Sequence, residues 1–119
     1  MNSTNDMEDT VEITAKELYD ELKEGTEMQV IDVRSKDEYL NGSIPGSLNI
    51  PLYSFASEIQ NIDLESNIVV VCSIGQSSLQ AIRLLKSYTG VPQGAKILNL
   101  SEGYYGWTNL LSSNQFSLN

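Results

Sequence analysis

The stretch Asn67 to Val71 reads Asn-Ile-Val-Val-Val, and the apolar residues Ile68, Val69, Val70 and Val71 in succession constrain the chain more than any other segment. A short unbroken apolar run suits a strand buried on both faces, the situation of a parallel sheet covered by helices on each side. The run passes directly into Cys72-Ser73-Ile74-Gly75-Gln76-Ser77-Ser78. Beyond it, Leu79, Ile82, Leu84 and Leu85 mark an amphipathic helix that Gly90 and Pro92 end. Ligands of open α/β sheets bind at the carboxyl ends of strands, so this junction is the first place to look for chemistry.

The rest of the chain alternates in the same way. Val11 to Ile13 reads as a short strand. Thr14 with Glu17 three residues on is a capping box opening a helix that carries Leu18, Tyr19 and Leu22 and stops at Gly25. Met28 to Val33 is a second buried strand, Ser35 to Asn41 a short helix, and Gly42 and Pro45-Gly46 are turns. Ser47 to Ile50 is a brief strand, Pro51 to Ile62 loosely helical, Ile97 to Leu100 a last strand and Tyr104 to Leu111 a closing helix. This pattern predicts a three-layer α/β/α domain with a mainly parallel sheet of about five strands. It places the domain at residues 11–111, between an acidic tail at 1–10 and a polar tail at 112–119.

Composition narrows the chemistry. The chain has no histidine and one cysteine. That excludes Ser-His-Asp and Cys-His machinery, His-ligated metal, cysteine-based zinc and an internal disulfide. The net charge of −9 lies mostly in residues 1–38, where twelve acids face Lys16, Lys23, Arg34 and Lys36. Sequence-independent nucleic-acid binding needs clustered cations and is rejected. An acidic front half reads as a solvated face before it reads as a docking surface. No apolar stretch reaches the roughly 18 residues of a membrane span. Met1 to Glu12 does not look like a secretory signal, so the expected setting is the reducing cytoplasm.

Two readings of Cys72 stand side by side on residues alone. A free cysteine is often a small buried hydrophobe. One placed between a strand and a glycine-containing helix entry can instead face loop N–H groups and a helix dipole, which favour a thiolate and an anion beside it. Among other residues, Arg34 and Glu38 read as an intrahelical or turn-bracing ion pair, with substrate steering by Arg34 the second possibility. Asp32 reads as an acceptor of backbone hydrogen bonds, Gln76 as a loop-tip residue, and Trp107 with Tyr104 and Tyr105 as a packed terminal cluster.

Taken together, Asp32-Val33-Arg34, Glu38-Tyr39, Gly42, Ile44-Pro45-Gly46-Ser47 and Asn49-Ile50-Pro51 resemble the front signature of rhodanese-like domains. Val69 to Ser78, with Ala81 and Leu84, is similar to that family's strand, six-residue active loop and following helix. Leu98-Asn99-Leu100, Gly103 and Trp107 resemble its closing segment. The resemblance implies a sulfurtransferase in which Cys72 takes the outer sulfur of thiosulfate or a protein persulfide, is held as a persulfide, and passes the sulfur to an acceptor protein or thiol. It implies no metal or organic cofactor, and it makes Ser73, Ile74, Gly75, Gln76, Ser77 and Ser78 the substrate-binding loop. Related phosphatases carry an Arg at the position of Ser78, which argues against phosphatase chemistry here. Many family members have a cation where this chain has Ser77, which leaves anion binding to backbone N–H groups and hydroxyls. The alternative implied function is a catalytically weak module that binds or regulates a partner.

Overall fold

The computed structural model describes residues 10–88, 90–92 and 94–113, so most of both expected tails lies outside the described residues. In chain order the elements are β1 (Val11–Ile13), α1 (Ala15–Lys23), β2 (Met28–Asp32), α2 (Lys36–Leu40), β3 (Leu48–Asn49), α3 (Phe55–Glu58), β4 (Asn67–Val71), α4 (Ser78–Ser87), β5 (Ile97–Leu100) and α5 (Gly103–Leu111). Tight 3-10 turns at Leu52–Ser54 and Ile59–Asn61 flank α3. The five strands form one sheet in the order β1-β5-β4-β2-β3, and every pairing is parallel.

β4 is the axis of this arrangement, paired with β2 on one side and β5 on the other. Its side chains alternate between the two faces. Ile68 and Val70 join Ile31, Phe55, Ile82 and Leu85 on the α3/α4 side. Val69 and Val71 join Leu18, Leu98, Leu100 and Trp107 on the α1/α5 side. All four are fully buried, and burying each is worth about 1.5–3 kcal/mol. A strand covered on both sides has no polar face to offer, which is why its sequence does not alternate.

α1 starts on the expected capping box: Glu17 N–H donates to Thr14 Oγ1 at 3.1 Å, and Thr14 N–H donates to Glu17 Oε1 at 2.9 Å. α2 starts on a second box, which corrects the expected Arg34–Glu38 pair. Glu38 Oε1 accepts from Ser35 N–H at 3.2 Å, while Arg34 turns back onto Asp32. The reason is local. Ser35 is the N-cap and has extended backbone (ψ 158°), so Arg34 lies outside the helix and helical spacing does not bring it to Glu38.

The expected aromatic cluster also divides. Trp107 is buried and packs beside Tyr19 with ring centroids 6.3 Å apart. Tyr104 faces Arg34, and Tyr105 is 62% exposed. Residues 104 and 107 share a helical face, and residue 105 does not. No helix among the described residues is long and apolar enough to cross a membrane.

Candidate functional site

Cys72 follows the last residue of β4 and is buried, 3% exposed, at the floor of a cavity of about 620 Å³ at the carboxyl end of the sheet. The backbone bends at once after it, and Gly75 N–H comes back to donate to Cys72 Sγ at 3.1 Å. That turn needs glycine at 75. Its φ is +87°, and a Cβ there would lie 2.8 Å from the carbonyl carbon of Ser101, so a side chain would meet both torsional strain and backbone.

The loop is also pinned from the other side. Tyr104 N–H donates to the Cys72 carbonyl at 2.8 Å and Tyr105 N–H to the Ser73 carbonyl at 3.0 Å. These are first-turn N–H groups of α5, which have no partner inside their own helix. Gly103 makes the approach possible: its φ is +63°, and a Cβ would stand 2.6 Å from the carbonyl carbon of Ser73.

Behind the sulfur, Ser78 Oγ is 3.3 Å from Cys72 Sγ. Ser78 is fully buried, and its hydroxyl donates to Asn99 Oδ1. Asn99 Nδ2 in turn donates to the Gly75 carbonyl at 3.1 Å and to Glu12 Oε2 at 3.0 Å.

The loop expected to bind substrate therefore divides into three parts. Cys72, Ser73 and Ser77 line the cavity. Gly75 and Ser78 are buried around the sulfur. Ile74, 57% exposed, and Gln76, also exposed, are not among the residues lining the cavity. Ser77 is the N-cap of α4 but makes no side-chain capping bond.

Arg34 also lines the cavity. Its Nε reaches Asp32 Oδ1 at 3.0 Å, and its Nη2 reaches Asp32 Oδ2 at 2.8 Å and the Gly42 carbonyl at 2.7 Å. The Tyr104 ring lies 4.1 Å from the guanidinium carbon. Asp32 also accepts from Arg34 N–H at 3.0 Å, the backbone role expected of it. Arg34 thus braces the wall, with its charge met by a buried carboxylate.

Sequence reasoning gives several of the lining residues no part in the site. Leu52 and Tyr53 follow Pro51 in a stretch without clear period, and Leu84 reads only as part of the helix stripe; all three line the cavity. Glu38 does too, and its Oε2 accepts from Ser73 Oγ at 3.4 Å. Asn99 falls in the closing motif without a role of its own. A signal for it exists, since it is a polar residue between Leu98 and Leu100 in a buried strand.

The chain is similar in sequence and in fold to known proteins. A putative sulfurtransferase, YtwF, of Bacillus subtilis is 26% identical over 96 residues, covering 81% of this chain and 88% of its own length. Thiosulfate sulfurtransferase GlpE of Pseudomonas aeruginosa is 32% identical over 105 residues, covering 87% of this chain and 90% of its own. A crystal structure of a rhodanese-related protein from Thermoplasma volcanium superposes with a TM-score of 0.72 at 27% identity, over 84% of this chain and 92% of that one. The human single-domain sulfurtransferase TSTD1 gives 0.68 at 29% identity, over 82% and 95%. With the match to the rhodanese-like domain spanning residues 14–110, from the α1 cap to α5 and across the cysteine loop between them, the chain belongs to the rhodanese-like family.

Proposed function

We propose that the chain is a sulfurtransferase that carries sulfur as a persulfide on Cys72. The observation that carries this reading is the placement of Cys72 Sγ: on the cavity floor, at the end of the central strand, with Gly75 N–H donating to it at 3.1 Å. In the first step the Cys72 thiolate attacks the outer sulfur of a donor R–S–SH. The donor's S–S bond breaks, R–S⁻ leaves with the electron pair, and Cys72–S–SH remains. An acceptor thiolate then takes the outer sulfur and returns Cys72 as thiolate. Thiosulfate serves the same first step, with sulfite leaving. Such a thiol needs a reducing setting, which the cytoplasm supplies.

The cavity's charges favour a thiol-borne persulfide over thiosulfate. The guanidinium of Arg34 is committed to Asp32, and Glu38 sets a carboxylate beside Ser73. Neither helps a dianion, and Ser77 adds no charge. Val33, Pro51, Leu52, Tyr53 and Leu84 give the rest of the wall an apolar character, suited to the carbon skeleton of a small thiol or to a side chain presented by a protein. The same lack of an uncommitted cation among the described residues lining the cavity is what favours the second reading, a weakly catalytic module that binds a partner.

Intact mass separates the two. Treatment with a low-molecular-weight persulfide is expected to add the mass of one sulfur, removable by reductant and absent in Cys72→Ser. Thiosulfate is expected to add it more slowly. No gain with either donor overturns the sulfurtransferase reading in favour of the binding module.

A further inference from the structure

The polar chain behind Cys72 has only one self-consistent arrangement of protons. The Gly75 carbonyl and the Glu12 carboxylate both only accept, so the Asn99 Nδ2 amide group faces them. Asn99 Oδ1 is then the acceptor for Ser78. A hydroxyl has a single proton, so Ser78 meets Cys72 Sγ with a lone pair, at 3.3 Å. It can accept from the thiol S–H in that state. It cannot donate to a thiolate without giving up Asn99.

We propose that Asn99, anchored by Glu12 and Gly75, is a positioning residue that acts through Ser78 to set how readily Cys72 ionises. In the resting thiol the Ser78 proton points at Asn99. When an acceptor R–S⁻ takes the outer sulfur of Cys72–S–SH, the S–S bond breaks and its electron pair stays on Sγ. The Ser78 hydroxyl then turns from Asn99 to that new thiolate and joins Gly75 N–H in stabilising it. The turn leaves a buried amide oxygen unpaired, which biases the site back toward the thiol. The use in turnover rests on the persulfide reading above; the effect on ionisation does not.

Iodoacetamide alkylation of the full chain across pH tests it, with each rate expressed as a fraction of its own high-pH plateau so that changes in access cancel. The charged or titratable groups around the cavity are Arg34 with Asp32 at the end of β2, Glu38 of α2 and Tyr53; every variant below leaves them intact. Asn99→Leu removes the competing acceptor and frees the Ser78 proton for sulfur. The fractional rate at neutral pH is expected to rise about tenfold, the effect of one hydrogen bond to a charged group. Glu12→Ala, at an exposed edge position, is expected to give a smaller rise of the same sign, and it decides the matter should Asn99→Leu not fold. In a Ser78→Ala background both rises are expected to vanish. A slower fractional rate in these variants, or the same change with and without Ser78, overturns the proposal. Alkylation needs no sulfur donor, so a protein that accepts no sulfur in the mass experiment still supports or refutes the role of Asn99 here.

Discussion

Replacing Arg34 by Met separates a brace from a substrate cation. The Asp32 carboxylate is 1% exposed, and it takes three guanidinium contacts of 2.8–3.1 Å. In Arg34→Met that carboxylate keeps, among the described residues, only the N–H of residue 34, the Gly42 carbonyl loses the guanidinium donor, and the Tyr104 ring loses the cation above it. Removing one partner of a buried pair costs about 3–5 kcal/mol, because the remaining charge stays buried and uncompensated. In a domain of this size about 1 kcal/mol moves the melting point by roughly 5 °C, so the transition is expected to fall by about 15–25 °C. Adding Asp32→Asn removes the stranded charge, and the double variant is expected to recover much of the loss. Thermal and urea unfolding of both singles and the double would measure this. A loss under about 1 kcal/mol in Arg34→Met, together with a large drop in sulfur transfer, would refute the bracing argument and return Arg34 to the substrate.

Three further outcomes follow from the same geometry. Gly75→Ala places a side chain at φ +87° against Ser101; urea unfolding is expected to show a loss of about 1–3 kcal/mol, with a slowed reaction of Cys72 toward iodoacetamide. Glu38→Gln keeps the α2 capping box, since glutamine serves there as well, but removes the carboxylate beside Ser73; kcat/KM with thiosulfate is expected to rise severalfold at low salt and to converge with the parent at high salt. Ser77→Arg puts a guanidinium on the cavity wall, and steady-state kinetics are expected to show KM for thiosulfate falling about tenfold while a small-thiol persulfide donor is little affected.

The central strand, the cysteine loop and the parallel sheet can be read from the sequence because each rests on local pattern. An apolar run that does not alternate, a glycine three residues after a cysteine, and a helix stripe beginning near Ser78 are all near-neighbour signals. What cannot be read depends on contacts between distant residues. Asn99 reaches Ser78 and Glu12 only because β5 inserts between β1 and β4. Gly103 is needed only because the start of α5 presses on the backbone of Ser73. The Arg34–Glu38 expectation fails for a subtler reason: the spacing is right for a helix, but Ser35 caps that helix, so Arg34 precedes it. Tyr53 shows the same limit, since a residue in a stretch without period declares its role only once the cavity exists.

The place of β5 in the sheet also bears on biosynthesis. Cys72 is translated well before Asn99, Ser101, Gly103 and Tyr104, which supply the acceptor behind Ser78, the carbonyl that confines Gly75 and the N–H group that holds the Cys72 carbonyl. A nascent chain extended only through α4 has the cysteine but not the supports that shape its surroundings. β1 waits as well, since it pairs with β5 and not with β2. The surroundings of the thiol are therefore complete only once the β5–α5 segment occupies its place between the first strand and the fourth.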